Sequence, residues 1–94
     1  MNKRLECKIF GRVRFVLFRD FVCRNARKMK LVGVVKNIDD GSVYIVAEGE
    51  EIKLQNFLEI ISKGSMLSKV SKIENEWKEA VNNFSDFSIQ YYDR

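Results

Sequence analysis

The chain has no histidine, no proline and only two cysteines among its 94 residues. Without histidine it lacks the commonest general base and metal ligand at neutral pH. No Ser-His or Cys-His nucleophile pair exists, and Cys7 and Cys23 alone do not make a zinc site. Any chemistry must therefore rest on cations, amides, carboxylates or backbone groups, with no metal or other cofactor expected. The missing proline has no physical explanation in the sequence. Long apolar runs are missing too, none approaching the roughly 18 residues of a membrane span. Residues 1–8 carry scattered charges and no apolar stretch of the kind a secretory signal needs. A cytoplasmic protein with no membrane partner is expected.

What is present fits one folded domain spanning residues 1–94, expected to act as a monomer. An apolar fraction of 46% is too high for a disordered chain. The net charge of +4 hides an asymmetry. Residues 1–36 hold eleven Lys/Arg against two Asp/Glu, a net +9, whereas residues 37–94 hold six against eleven, a net −5. A basic N-terminal third raises the local concentration of anionic partners. Taken one at a time, its lysines read most simply as solvated surface.

Periodicity gives the order of elements. Leu5, Cys7 and Ile9 alternate with Glu6 and Lys8, as on a half-buried strand ended by Gly11. From about Arg19 to Lys30 the spacing turns helical, with Phe18, Val22, Ala26 and Met29 on one stripe. Two β-rich runs, 31–38 and 42–48, flank the hairpin signal Asp39-Asp40-Gly41. A second helix spans 50–63, with Leu54, Phe57, Leu58 and Ile61 as its stripe and Gly64 as its stop. Residues 71–77 alternate again, and Phe87, Ile89 and Tyr91 form a last strand. The pattern is an α+β, ferredoxin-like sandwich, βαββαβ plus a short C-terminal strand. It predicts an antiparallel sheet with two helices on one face.

Two segments carry the chemistry. Residues 11–19, Gly-Arg-Val-Arg-Phe-Val-Leu-Phe-Arg, read as a strand that turns and feeds a helix with an arginine at its start. Exposed amides, a helix N-terminus and a fixed cation converge there, which suits an anionic cluster of oxygens. Residues 33–41 place Asn37 just before a tight hairpin, where its amide can reach a ligand or a water. An asparagine at that position otherwise serves as a local backbone cap.

These segments resemble the signatures of the acylphosphatase family. Gly11, Val13, Val16, Phe18 and Arg19 match Gly-x-Val-Gln-Gly-Val-x-Phe-Arg; Gly33, Val35, Asn37, Asp40, Gly41, Ser42 and Val43 match the second motif. The resemblance implies metal-independent hydrolysis of carboxyl-phosphate anhydrides, with a small acyl phosphate as substrate. It implies a phosphate-binding loop of Gly11, Val13, Arg14, Phe15 and Val16, able to hold inorganic phosphate or sulfate. Arg19 would grip the phosphate and Asn37 would orient the attacking water. Three departures stand out: Arg14 replaces the family's Gln, Phe15 its second Gly, and Lys30 the Gly that ends the first helix. If that second Gly needs positive φ, Phe15 is strained there, and a left-handed Lys30 costs roughly 1 kcal/mol.

Two rival readings compete with this one. One is a catalytically weak acylphosphatase-like domain that binds phosphate or carbamoyl phosphate, as at the N-terminus of a large hydrogenase-maturation carbamoyltransferase. The other is a ferredoxin-like RNA binder. It is disfavoured because Tyr44 is the only aromatic in the third strand, leaving no platform for base stacking.

Overall fold

A computed structural model describes residues 2–14 and 17–91. Strand β1 (Asn2–Arg12) leads into helix α1 (Phe18–Lys28), followed by strands β2 (Val32–Asn37) and β3 (Val43–Glu50). Helix α2 (Glu51–Lys63), strand β4 (Lys69–Glu79) and strand β5 (Phe87–Gln90) complete the order. The sheet runs β4-β1-β3-β2-β5.

β1 to β4 pair antiparallel, as the sequence pattern predicts, but β5 lies parallel to β2 and makes the sheet mixed. The reason is the route of the chain. β4 and β5 occupy opposite edges, so residues 80–86 must cross the end of the sheet. Eight residue steps reach about 26 Å when extended, enough for four strand spacings of about 4.8 Å each. Glu48 of β3 anchors the crossing, its carboxylate accepting from the amides of Val81 at 2.9 Å and Asn82 at 3.0 Å. Arg4 Nη1 donates to the same carboxylate at 3.2 Å. Burial pushes the Glu48 carboxyl up, but these three donors outweigh it and hold its pKa below the ordinary value.

The core lies between the sheet and the helices. Leu5, Cys7 and Ile9 of β1 and Ile45 and Ala47 of β3 meet Phe18, Val22 and Ala26 of α1 and Leu54, Phe57 and Ile61 of α2. Each of the large side chains among them contributes about 1.5–3 kcal/mol on burial. Phe57 meets Phe87 of β5 edge-on, with ring centroids 6.2 Å apart. Cys23, one position beyond Val22 on α1, is buried, and its thiol faces the Phe87 carbonyl at 3.6 Å.

The opposite face of the sheet is covered by charge. Glu6 takes Arg4 at 2.8 Å and Lys78 at 3.0 Å. No helix among the described residues is long and apolar enough to cross a membrane.

Two local features fix the ends of β1 and β5. Gly11 sits at a bulge where β1 shifts register against β4, at φ 131. A Cβ there would lie 2.1 Å from the Lys69 carbonyl oxygen, so only glycine lets these backbones approach. Strand β1 therefore ends tight against the segment that opens β4. The second feature is β5, held by Gly33 N–H donating to the Asp86 carbonyl and Arg27 Nε donating to that of Phe87, both at 2.9 Å. These bonds fix where the residues after Phe87 fall.

Candidate active site

Asn37 is the last residue of β2, on the rank of Gly33 and Val35 that faces the helices. The hairpin beyond it is closed by Ile38 N–H donating to Ser42 O at 3.0 Å and Gly41 N–H to Ile38 O at 3.1 Å. Its capping role falls to Asp40, not to Asn37. Asp40 Oδ1 accepts from the Ser42 amide at 2.9 Å and from the Ser42 hydroxyl at 2.6 Å. Those two bonds, aided by Lys8 Nζ at 3.3 Å, draw the Asp40 carboxyl down to about 2. Asn37 is thus released from local bonding. Its Oδ1 is buried and has no hydrogen-bond partner among the described residues.

Arg19 enters from the other side, in the first turn of α1. The residue before the helix, Leu17, has φ 59 and ψ 26, a left-handed conformation costing about 1 kcal/mol for a side-chain-bearing residue. It offers no side-chain cap. The first helical bond runs from Phe21 N–H to Leu17 O at 3.1 Å, so the earlier amides of the turn have no carbonyl of the helix to meet. These donors and the positive end of the helix dipole suit an anion. Arg19 makes no ion pair with a carboxylate among the described residues. Its guanidinium instead lies 5.2 Å from the ring centroid of Tyr91.

Arg19 and Asn37 line one cavity of about 310 Å³. Val13, Leu17, Phe18 and Ile89 give it apolar walls, Tyr91 stands at its edge as an exposed aromatic, and Asp20 adds a carboxylate. Two segments eighteen residues apart in sequence thus meet because β1 and β2 finish at the same end of the sheet and α1 begins there. Gly11 and Val13 stand where the expected loop leaves β1. Arg14 turns toward the hairpin, its Nη2 donating to the Ile38 carbonyl, while its Nε is buried with no partner among the described residues. Phe15 and Val16, expected in the same loop, lie outside the described residues.

Sequence periodicity gave no sign of Leu17, Ile89 or Tyr91 at the site. Tyr91 reads there as part of the last strand, yet it follows β5 and lines the cavity. Its role was not visible because nothing in the sequence specifies that β5 crosses to the β2 edge.

The chain is similar to known proteins in sequence and in fold. The family model described as Acylphosphatase matches residues 5–89. An acylphosphatase of Bacillus licheniformis is 48% identical over 81 residues, covering 86% of this chain and 90% of that protein. The crystal structure of acylphosphatase from Bacillus subtilis superposes with a TM-score of 0.88 at 44% identity, covering 97% of this chain and all of that one. Full-length HypF in its phosphate- and nucleotide-bound form contains a similar region, with a TM-score of 0.84 and 32% identity. It covers 96% of this chain but only 12% of HypF.

Proposed function

The chain belongs to the acylphosphatase family and hydrolyses acyl phosphates, and from that premise we propose that Arg19 and Asn37 divide the catalytic work. The phosphoryl group sits in the cavity at the start of α1. Arg19 grips two of its oxygens through charge-assisted hydrogen bonds. Backbone amides around Arg14, Phe15 and Val16, in the loop that Gly11 and Val13 open, complete the cradle; the Val13 amide itself is taken by the Gly11 carbonyl at 3.0 Å. Inorganic phosphate or sulfate would occupy the same place.

Asn37 supplies the water. Its free Oδ1 accepts a hydrogen bond from the water, which turns an oxygen lone pair toward phosphorus. A P–O bond forms to the water as the P–O bond to the acyl group breaks, and the electron pair leaves with the carboxylate. The water's proton ends on phosphate or in solvent. A carboxylate leaves without protonation, so no general acid is required and the absence of histidine is no obstacle. Catalysis is positioning plus electrostatic stabilisation of a loose phosphoryl transition state, with no metal in the scheme.

The observation that carries this reading is that Asn37 lines the same cavity as Arg19 while its buried Oδ1 has no hydrogen-bond partner among the described residues. We also read residues 1–94 as one domain working as a cytoplasmic monomer. Two free buried cysteines suit a reducing compartment, and the exposed, charged β4 discourages edge pairing.

Hydrolysis of benzoyl phosphate in the presence of EDTA tests the assignment. Arg19→Ala should lower kcat/KM by about 10³ and weaken inhibition by phosphate. Asn37→Ala should lower kcat by a similar factor of about 10³ while phosphate inhibition stays near that of the wild type. Full turnover in folded Asn37→Ala would remove the asparagine from the mechanism. A folded wild type that binds phosphate without turnover would instead make the domain a binding module.

A further inference from the structure

A second depression lies beside the cavity of Arg19 and Asn37, on the other side of Leu17. It is a groove of about 440 Å³ between the start of α1 and the segment joining α2 to β4. Leu17 lines both spaces, so they are neighbours across one side chain. Phe21 forms the groove's floor on the helix side, Arg24 borders it, and Met66 and Leu67 stand across from them. Leu17, Met66 and Leu67 are 70%, 97% and 63% exposed, three large apolar side chains around one opening. Isolated exposed apolar residues need no explanation, but a cluster beside a ligand cavity does.

Met66 and Leu67 are held out by a built turn. The Ser65 amide donates to Ser68 Oγ at 2.7 Å, Ser68 Oγ donates to the Ser65 carbonyl at 3.1 Å, and Ser68 N–H donates to the same carbonyl at 3.2 Å. Both flanking serines bond to one another, and the two apolar residues sit at the tip. Gly11 keeps this segment close, since β1 and the opening of β4 pack backbone to backbone there.

From this we infer that the groove receives the acyl part of the substrate, and that acyl phosphates with a bulky apolar acyl group are preferred over small ones. The inference rests on the assignment of Arg19 and Asn37 given above. In phosphoryl transfer the attacking and leaving oxygens lie roughly in line through phosphorus. A water held by Asn37 attacks from the β2 side of the sheet. The acyl group must then leave toward the far side, where β1 and β4 lie and where Met66 and Leu67 stand. The groove's volume falls within the roughly 300–1,000 Å³ of small-molecule sites. A phenyl ring or branched alkyl chain passing over Leu17 would cover the apolar side chains of Phe21, Met66 and Leu67, with Arg24 lending its aliphatic stem. An acetyl group is too short to leave the phosphate cavity.

The experiment compares kcat/KM for benzoyl phosphate and acetyl phosphate in the wild type and in the Met66→Ser/Leu67→Ser double variant. Both positions are exposed, so the fold is not at stake. The wild type should favour benzoyl phosphate, and the ratio of the two kcat/KM values should fall about tenfold in the double variant. Ile52→Ser, an exposed apolar residue of α2 outside the groove, should leave the ratio as it was. A ratio unmoved by the double variant would overturn the inference, and a changed association state in the same variant would give the groove to a second copy of the chain. Arg19→Ala and Asn37→Ala run in parallel separate the two readings. If they abolish turnover while the ratio stays fixed, the catalytic assignment stands and the acyl groove alone falls.

Discussion

The guanidinium of Arg14 donates to the carbonyl of Ile38, the residue directly after Asn37. The start of the loop that leaves β1 is thereby tied to the end of β2, and in the proposed mechanism the spacing between phosphate and water would depend on that tie. Arg14 stands where the family has Gln, so this chain fixes the distance with a longer, charged side chain. Arg14→Ala should lower kcat about tenfold, because small misplacements are costly in near-attack geometry. Inhibition by phosphate should change little. Arg14→Lys should restore only part of the rate, since lysine lacks the planar fork. Steady-state kinetics with phosphate as competitor tests this, and parallel loss of rate and phosphate affinity would mean that Arg14 touches the ligand instead.

Tyr91 holds Arg19 in place through its ring face. A cation over an exposed aromatic is worth about 0.5–1 kcal/mol. Tyr91→Ala should weaken phosphate inhibition about threefold, on the scale of that energy, and Tyr91→Phe should restore it. An unchanged inhibition constant in Tyr91→Ala would show that the stacking does not order the arginine.

Lys30 adopts the left-handed conformation expected of a helix-ending glycine, at φ 59. Leu31 N–H donates to Ala26 O at 2.9 Å and Lys30 N–H to Arg27 O at 3.0 Å, the paired bonds of a Schellman stop. Lys30→Gly keeps both bonds and removes the strain. It should stabilise the protein by about 1 kcal/mol, raising Tm by about 4 °C in thermal unfolding, with kcat unaffected.

Glu48 makes stability depend on acid. Its folded pKa is lowered from the ordinary 4.5, so the carboxylate stabilises the fold fully above that value. The contribution is lost as pH falls through the lowered folded value. Glu48→Gln should cost about 2 kcal/mol at pH 7, because the charge-assisted bonds from Val81, Asn82 and Arg4 are lost or become neutral ones while Arg4 keeps Glu6. The gap in Tm between variant and wild type should narrow on going from pH 7 toward pH 3. A gap of constant width would mean that the carboxylate's charge does not anchor the crossing.

Much of this was legible in the sequence because local and tertiary signals coincide. Leu5, Cys7 and Ile9 alternate as a strand must, Asp40-Gly41 turns as a hairpin must, and Gly64 stops α2. Arg19 and Asn37 could be named from motif and chemistry, since each lies at the end of an element whose type was clear. Less was legible where the answer depends on which edges meet. Nothing in Phe87 to Gln90 says that this strand adds parallel to β2, so Tyr91 could not be placed over Arg19. The bond from Arg14 to Ile38 likewise links two loops through a side chain with no periodic signature. The apolar tip at Met66 and Leu67 reads in sequence as part of a linker; its meaning comes only from lying beside Leu17.

The two thiols have a use that comes from their depth. Burial pushes Cys7 up to about 12 and raises Cys23 as well, so neither is a ready nucleophile in the folded state. Cys7 lies in the middle of the sheet and Cys23 in the helical layer above it. Alkylation of each therefore clocks the opening of its own layer, with no added label. Equal rates would mean that sheet and helices part in one cooperative event, whereas a faster Cys23 would show α1 lifting first and uncovering the end of the sheet where Asn37 lies.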